Sequence, residues 1–275
     1  MELTRYEKLS LMRVNKWEKE KYGGGRKRIL DAVSKPIDYL IKKIGPEKFR
    51  HFESAIEATA NKMLYASTYS VNEKELIKRA HKNGIMIEDL SELKTVNFKL
   101  IDDCNKKHIK IHERASAVQG AVAGIGGALI ATADLTAILL QVFHLLQEIA
   151  SCYAYDPNDI VEKNIILRIM EAGLGSSENK FKALQEIEML KKIESHGEET
   201  QISKKSVSVL GSKAIKESIE NLSVSLLSRL IPRALPIPII TMAISAHSNH
   251  EIMENSGEAA LMVYRKRFIA RKMEL

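Results

Sequence analysis

Two pairs of histidines have the spacing of metal ligands. His108 and His112 lie four residues apart, and His247 and His250 lie three apart. On a helix each pair faces one side and could share a metal ion, and a helical bundle could bring the two pairs together. The order around the first pair is His-Ile-Lys-Ile-His-Glu, however, and not the HExxH of zinc proteases. The sequence therefore favours ordinary surface histidines and predicts no metal or cofactor; these four residues are the candidates if a metal is bound.

The motifs of common catalytic sites are absent from the sequence. It contains no CxxC, no GxSxG nucleophile elbow and no GxxxxGK[ST] phosphate loop. Cys104 and Cys152 lack a recognisable Cys/His/Asn arrangement, so they are predicted to be free buried thiols. No catalytic residue can be named, and whether the protein is an enzyme stays open.

Positive charge is concentrated near the N-terminus. The formal net charge is +7, and residues 1–50 carry 14 Lys and Arg against 7 Asp and Glu. Basic residues beside an aromatic anchor suit anionic lipid headgroups. The alternative is a solvated helix face whose bases pair with nearby glutamates. Nucleic acid is disfavoured because no helix-turn-helix, RNA-binding-sheet or zinc signature is present. The residues predicted to contact an anionic membrane surface are Trp17, Lys19, Lys21, Arg26, Lys27 and Arg28.

A second basic cluster lies near the other end of the chain. Its members are Arg265, Lys266, Arg267, Arg271 and Lys272. By the same argument this cluster is a further candidate for contact with anionic headgroups.

The centre of the sequence is apolar and rich in small residues. Between Arg114 and Asp134 lie 19 uncharged residues, which as a helix span roughly 28 Å, close to a hydrocarbon core. Alanine and glycine dominate this stretch, and a central aspartate is costly in a bilayer, so a soluble core helix competes with insertion into, or contact with, a membrane. Arg114 and Asp134 could meet only if the chain reverses near Gly124–Gly127 into a helical hairpin. Asp134 is predicted to be buried with a partner, or else to cap a helix.

These residues must be positioned by helices. Apolar residues recur every three or four positions, and no stretch alternates with period two between turn signals. The sequence therefore predicts an all-α protein. Residues 1–25 form a basic amphipathic N-terminal arm that ends at a glycine triplet, and residues 26–275 form one bundle-like domain around a Gly/Ala-rich central hairpin. The N-terminal segment lacks the apolar region of a secretory signal, which indicates an intracellular protein.

In the central segment Arg114 precedes a Gly/Ala-rich stretch, and Asp134 and a helix that ends in Ile149-Ala150, Tyr153 and Asp156 follow it. With this order of residues the segment resembles the EcsC family, and the likeness covers roughly residues 85–270. Ala154 stands where the family tends to place glycine. The resemblance implies membrane association in a bacterial cytoplasmic setting and supplies no reaction. The signature residues are Arg114, Gly120, Gly124, Gly127, Asp134, Gln147, Tyr153, Asp156 and Asn249.

Two hypotheses for function follow. In the first, the protein is a non-enzymatic helical module that associates with a membrane surface, or with an integral membrane partner such as a transporter, at the inner face of the cell membrane. In the second, it is a soluble metal-dependent hydrolase that uses His108, His112, His247 or Glu113 near Asp134. The first explains the charge placement and the small-residue helix together, whereas the second explains only the histidines. The sequence does not indicate an oligomeric state.

Overall fold

The computed structural model describes residues 2–20, 45–65, 71–124, 132–196, 216–223, 226 and 238–274. Regular structure in these ranges is helical and they contain no strand, which confirms the all-α prediction. Residues 216–223 are also helical. The principal helices are α1 (Arg5–Lys19), α2 (Pro46–Tyr65), α3 (Glu73–Lys82), a 3₁₀ helix (Leu90–Lys94), α4 (Phe98–Gly124), α5 (Thr132–Cys152), α6 (Ile160–Leu174), α7 (Ser177–His196) and α8 (Pro238–Glu274).

Local sequence signals set several helix ends. Gly45 has a φ of +91° directly before Pro46, which opens α2. Gly84 has a φ of +78° two residues after α3, the position at which helices favour glycine. Asp159 caps α6, and its carboxylate accepts a hydrogen bond from the amide of Val161 at 2.8 Å. Each of these helix ends therefore carries a residue type that favours such an end.

Helices α4 and α5 form the predicted hairpin, and α8 lies along α4. Contacts between residues 102 and 153 and between residues 108 and 148 show that α4 and α5 run antiparallel. The most extensive helix contact is between α4 and α8. Two glycines allow close approach to α8. A Cβ at Gly257 would lie 2.7 Å from the Ile109 side chain, and one at Gly173 would lie 2.7 Å from the Asn255 backbone oxygen.

The N-terminal helix is part of this bundle. Thr4 and Glu7 form a capping box at its start. α1 then packs against α8, and its side chains Val14 and Trp17 are buried. The predicted boundary at residue 25 lies outside the described residues and stays a prediction.

A buried carboxylate joins four parts of the fold. Asp102 of α4 is fully buried, and Arg265 of α8 donates to both of its oxygens, at 2.6 Å from Nε and 3.0 Å from Nη2. The hydroxyl of Tyr6 donates at 2.5 Å, that of Tyr153 at 2.9 Å, and the Lys106 ammonium lies 2.8 Å away. Burial raises the pKa of Asp102, but the hydrogen bonds and charges of Arg265 and Lys106 outweigh it and lower the pKa below its ordinary value.

Replacing this carboxylate should be costly. We expect Asp102→Asn to lower the free energy of unfolding at pH 7 by about 3–5 kcal/mol, because Arg265 would remain buried without a counter-charge. The folded-state pKa is depressed, so the stabilisation is complete above the ordinary Asp pKa and is lost as the pH falls through the folded value. The difference in the free energy of unfolding between wild type and Asp102→Asn should therefore become smaller in acid. Urea denaturation at several pH values would measure it.

The neighbouring Asp103→Asn is the matched control. The Asp103 side chain is 39% exposed and pairs with Lys99 and Lys106 at the surface. Asp103→Asn should therefore lower the free energy of unfolding by less than about 1 kcal/mol. Equal losses for the two variants would contradict the role assigned to Asp102.

Candidate functional site

A histidine pair and a glutamate meet between the two arms of the hairpin. The Nε2 atom of His108 lies 2.5 Å from Oε2 of Glu148, and the Nε2 atom of His112 lies 3.4 Å from the same oxygen. The two imidazole rings are 4.4 Å apart between centroids and nearly perpendicular, at 81°. The three ligand atoms thus lie within 4.8 Å of one another.

Helix geometry explains this convergence. Positions 104, 108 and 112 are spaced by four on α4, and positions 144, 148 and 152 have the same spacing on α5. In the antiparallel register each position of one series lies level with one of the other, with 108 opposite 148. Burial falls along the hairpin: the side chain of His108 is 3% exposed, that of His112 is 24% and that of His144 is 43%. One end of the cluster therefore faces solvent.

A guanidinium from α3 completes the cluster. Arg79 donates from Nη2 to Oε1 of Glu148 at 3.2 Å, and its Nη1 lies 2.9 Å from Nε2 of His108. The Nε2 atom of His108 thus faces both an N–H donor of Arg79 and the carboxylate of Glu148. A ring nitrogen serves as donor or as acceptor but not as both. Two proton arrangements are therefore compatible with the same positions of the side chains.

The electrostatics favour an ionised glutamate beside a neutral histidine. Burial raises the pKa of Glu148, but hydrogen bonds from His108 and His112 and the charge of Arg79 reverse this and hold it well below its ordinary range. Burial lowers the pKa of His108. Neutral imidazole and ionised carboxylate are the forms in which these groups bind metal ions.

The other predicted metal candidates lie elsewhere. His247 is exposed, 3.8 Å from Glu251 on its own helix, and His250 is half-buried on α8. Glu113 lies near His250 and Glu254, and burial together with the charge of Glu254 raises its pKa. Among the described residues the second histidine pair does not join the cluster, because the first pair meets Glu148 of α5 instead. The expectation that His108 lies at the surface is wrong.

Glu148 is the residue that sequence reasoning missed. It is the first charged residue after Asp134, and it lies at the spacing of four from His144 and Cys152. This spacing points to Glu148 as a partner of the histidines only once the register of α4 and α5 is known. Cys104 and Cys152 are free and buried, as predicted.

The signature residues divide between core and surface. Gln147, Tyr153 and Asn249 are buried, whereas Arg114 and Asp156 are exposed. Gly120, Gly124 and Asp134 lie within helices at positions whose side-chain surroundings the structure does not describe, and Gly127 lies outside the described residues. The predicted burial of Asp134 stays a prediction.

Ala154 stands where the resembled family tends to place glycine, and this substitution strains the backbone. Ala154 has a φ of +59°, in the left-handed region that glycine adopts readily. Its amide donates to the carbonyl of Ser151 at 2.9 Å, and the amide of Tyr155 donates to that of Ala150 at 3.0 Å. These two bonds form a Schellman motif that ends α5, with alanine where glycine is the usual residue.

Ala154→Gly should therefore stabilise the protein. We expect a gain of about 0.5–1 kcal/mol, because relief of the left-handed strain exceeds the greater entropy of glycine in the unfolded chain. Thermal and urea denaturation would measure it. Ala115→Gly, at an exposed position within α4, is the control and should lose a similar amount. A loss at both positions would contradict the strain argument.

The predicted membrane contacts are partly corrected. Trp17 is only 6% exposed, with the ammonium of the buried Lys180 lying 3.9 Å from its ring centroid, so the prediction that it anchors in lipid is wrong. The hydrogen bonds of Lys180 to the carbonyls of Trp17 and Glu20 occupy the C-terminal end of α1, and burial lowers the pKa of this lysine to about 8. Lys19 is exposed, and Lys21, Arg26, Lys27 and Arg28 lie outside the described residues.

The basic cluster near the end of the chain is used internally. Its prediction as a lipid contact is wrong, because each of its side chains has a partner in the bundle. Arg265 pairs with Asp102, Arg267 with Glu162, Lys266 with Glu18 and Glu188, and Lys272 with Glu7, while Arg271 donates to the carbonyls of Tyr153 and Ala154.

The outward face of α4 carries a different basic surface. Lys107, Lys110 and Arg114 are exposed along it at helical spacing. Ile111 and Val118 are exposed on the same face, at 61% and 67% of their surface. We call these five residues the α4 outer face.

These features define a class of protein: an all-helical bundle with a buried His/Glu cluster in its central hairpin and a basic, apolar outer face. None of the described helices is long and apolar enough to cross a bilayer. The sequence model of the EcsC protein family matches residues 8–269. The chain belongs to the EcsC family.

One relative is similar over nearly the whole length. The uncharacterized protein YdbA of Bacillus subtilis (strain 168) is 23% identical over 268 residues, which cover 96% of this chain and 93% of that protein. No solved structure matches the chain significantly. The family match begins at residue 8 and so extends well before the region in which the sequence resemblance was traced.

Proposed function

We propose that this EcsC protein is a peripheral membrane protein that rests on the anionic inner face of the cell membrane through the α4 outer face. The observation that carries the proposal is the exposure of three bases together with Ile111 and Val118 on one side of a helix. Helices that lie in the plane of the membrane interface have this pattern: their apolar side chains enter the lipid and their basic residues contact the headgroups.

The energetics favour a shared contact. Each Lys or Arg near an anionic bilayer contributes about 1 kcal/mol, so three bases alone bind weakly. Ile111 and Val118 add apolar area, and the basic residues at positions 19–28 add further charge if they reach the same surface. Binding should therefore depend on anionic lipid and weaken as salt screens the charges.

The metal-dependent hydrolase that the sequence leaves open is favoured by one observation, the His108–His112–Glu148 cluster. It differs from the membrane proposal in its requirement for a bound metal and a chemical reaction. The two functions make separate demands on the protein, because the cluster lies between α4 and α5 whereas the proposed membrane contact is on a different, solvent-exposed face of α4.

Flotation of the detergent-free protein with vesicles tests the proposal. We expect binding to vesicles that contain anionic phosphatidylglycerol, little binding to neutral phosphatidylcholine vesicles, and release at high salt. Lys110→Glu/Arg114→Glu should weaken binding by about 10- to 100-fold, since each reversal removes one attraction and adds a repulsion.

The matched control is Lys62→Glu/Lys74→Glu, which makes the same change in net charge at exposed positions of α2 and α3. Equal effects of the two double variants would show that net charge, and not the α4 outer face, decides binding. Absence of wild-type binding to every vesicle would refute lipid contact; recovery from native membranes alone would then indicate a membrane-protein partner in its place.

A further inference from the structure

We propose that His108, His112 and Glu148 bind one divalent transition-metal ion of the zinc class between α4 and α5. This inference does not depend on the membrane proposal, because it concerns the inward face of α4 and not its outer face.

The distances between the ligand atoms fit one ion. Zinc binds histidine nitrogen and carboxylate oxygen at about 2.0–2.2 Å, so two ligands of a tetrahedral ion lie roughly 3.3 Å apart. The His112 nitrogen is already 3.4 Å from Oε2 of Glu148, and the His108 nitrogen is 2.5 Å from it. The shorter distance must lengthen by roughly 1 Å when an ion enters, which is a change of the size that small side-chain rotations produce.

The ligand types select the class of metal. Two imidazoles and one carboxylate suit zinc and its first-row neighbours, whereas calcium and magnesium require sets of oxygen ligands. Both histidines project from one helix at a spacing of four, and the carboxylate comes from the facing helix, so the relative position of α4 and α5 presets all three. An ion here would link the two arms of the hairpin.

Arg79 holds the carboxylate for this task. Its Nη2 donates to Oε1 of Glu148, which leaves Oε2 directed at both histidines. A hydrogen bond to the non-ligating oxygen fixes the orientation of a carboxylate ligand. When Nε2 of His108 binds the ion, it loses its contact with Nη1 of Arg79. Arg79 is therefore a positioning residue for Glu148, and the metal replaces it only at His108.

The solvent side supplies an entrance and a fourth ligand position. His112 and His144 are the partly exposed members of the cluster, and the Nε2 atom of His144 lies 3.7 Å from Oε1 of Glu148. An ion can therefore arrive past these two imidazoles, and a water molecule can occupy the remaining position of a three-ligand site.

Titration of the metal-free full-length protein with zinc tests the proposal, with cobalt as a spectroscopic substitute. We expect one equivalent to bind, the visible absorption of four-coordinate cobalt to appear, and a hundredfold zinc excess over Kd to raise Tm by about 5 °C or more. His112→Ala should weaken zinc binding by about 100-fold or more and abolish the cobalt spectrum. Because His112 is partly exposed, this variant should fold, and circular dichroism would check that it does.

His247→Ala is the matched control, since His247 is an exposed histidine paired with a glutamate on α8. It should bind zinc as the wild type does. Failure of the folded wild-type protein to bind zinc or cobalt would overturn the proposal, as would equal zinc affinity in the wild type and His112→Ala. The vesicle assay reads out the membrane proposal separately, so that either one can fail alone.

Discussion

The buried charge of Asp102 is the constraint around which the bundle is arranged. A carboxylate removed from water must be paired and hydrogen-bonded, and its partners here come from α1, α4, α8 and the residue after α5. Satisfying this one side chain fixes how the four segments sit relative to one another. Because Tyr153 binds it at the end of the hairpin, the same contact helps to set the register that brings residue 108 level with residue 148.

A second consequence concerns where positive charge is available. The bases of α8 neutralise acids of α1, α4, α6 and α7, so the most conspicuous basic run near the end of the sequence contributes to the interior of the protein. On α4, by contrast, Lys107, Lys110 and Arg114 face solvent beside the exposed side chains of Ile111 and Val118. The place of a base in the fold, and not the density of bases along the chain, decides whether its charge reaches the surface.

The all-α class, the hairpin and several helix ends could be predicted because they depend on local signals, such as Gly84 after α3 and Asp159 before α6. The partners of the bases in α8 could not, since Arg265 and Asp102 are 163 residues apart. The candidate site shows the same division. A spacing of four identified His108 and His112, but Glu148 joins them only through the register of two helices. Trp17 was misassigned because an aromatic residue among bases has the same pattern whether it faces lipid or Lys180.

The bonds between α8 and the first part of the chain bear on biosynthesis. Lys272 reaches Glu7, 265 residues earlier, and Arg265 supplies the counter-ion of Asp102. During translation every acidic partner emerges from the ribosome long before its base does. Asp102 therefore lacks its buried counter-ion until α8 has been synthesised, because a contact across 163 residues cannot form earlier. A polypeptide released before residue 265 would lack the closing contact, which would make it a natural substrate for chaperones or proteases.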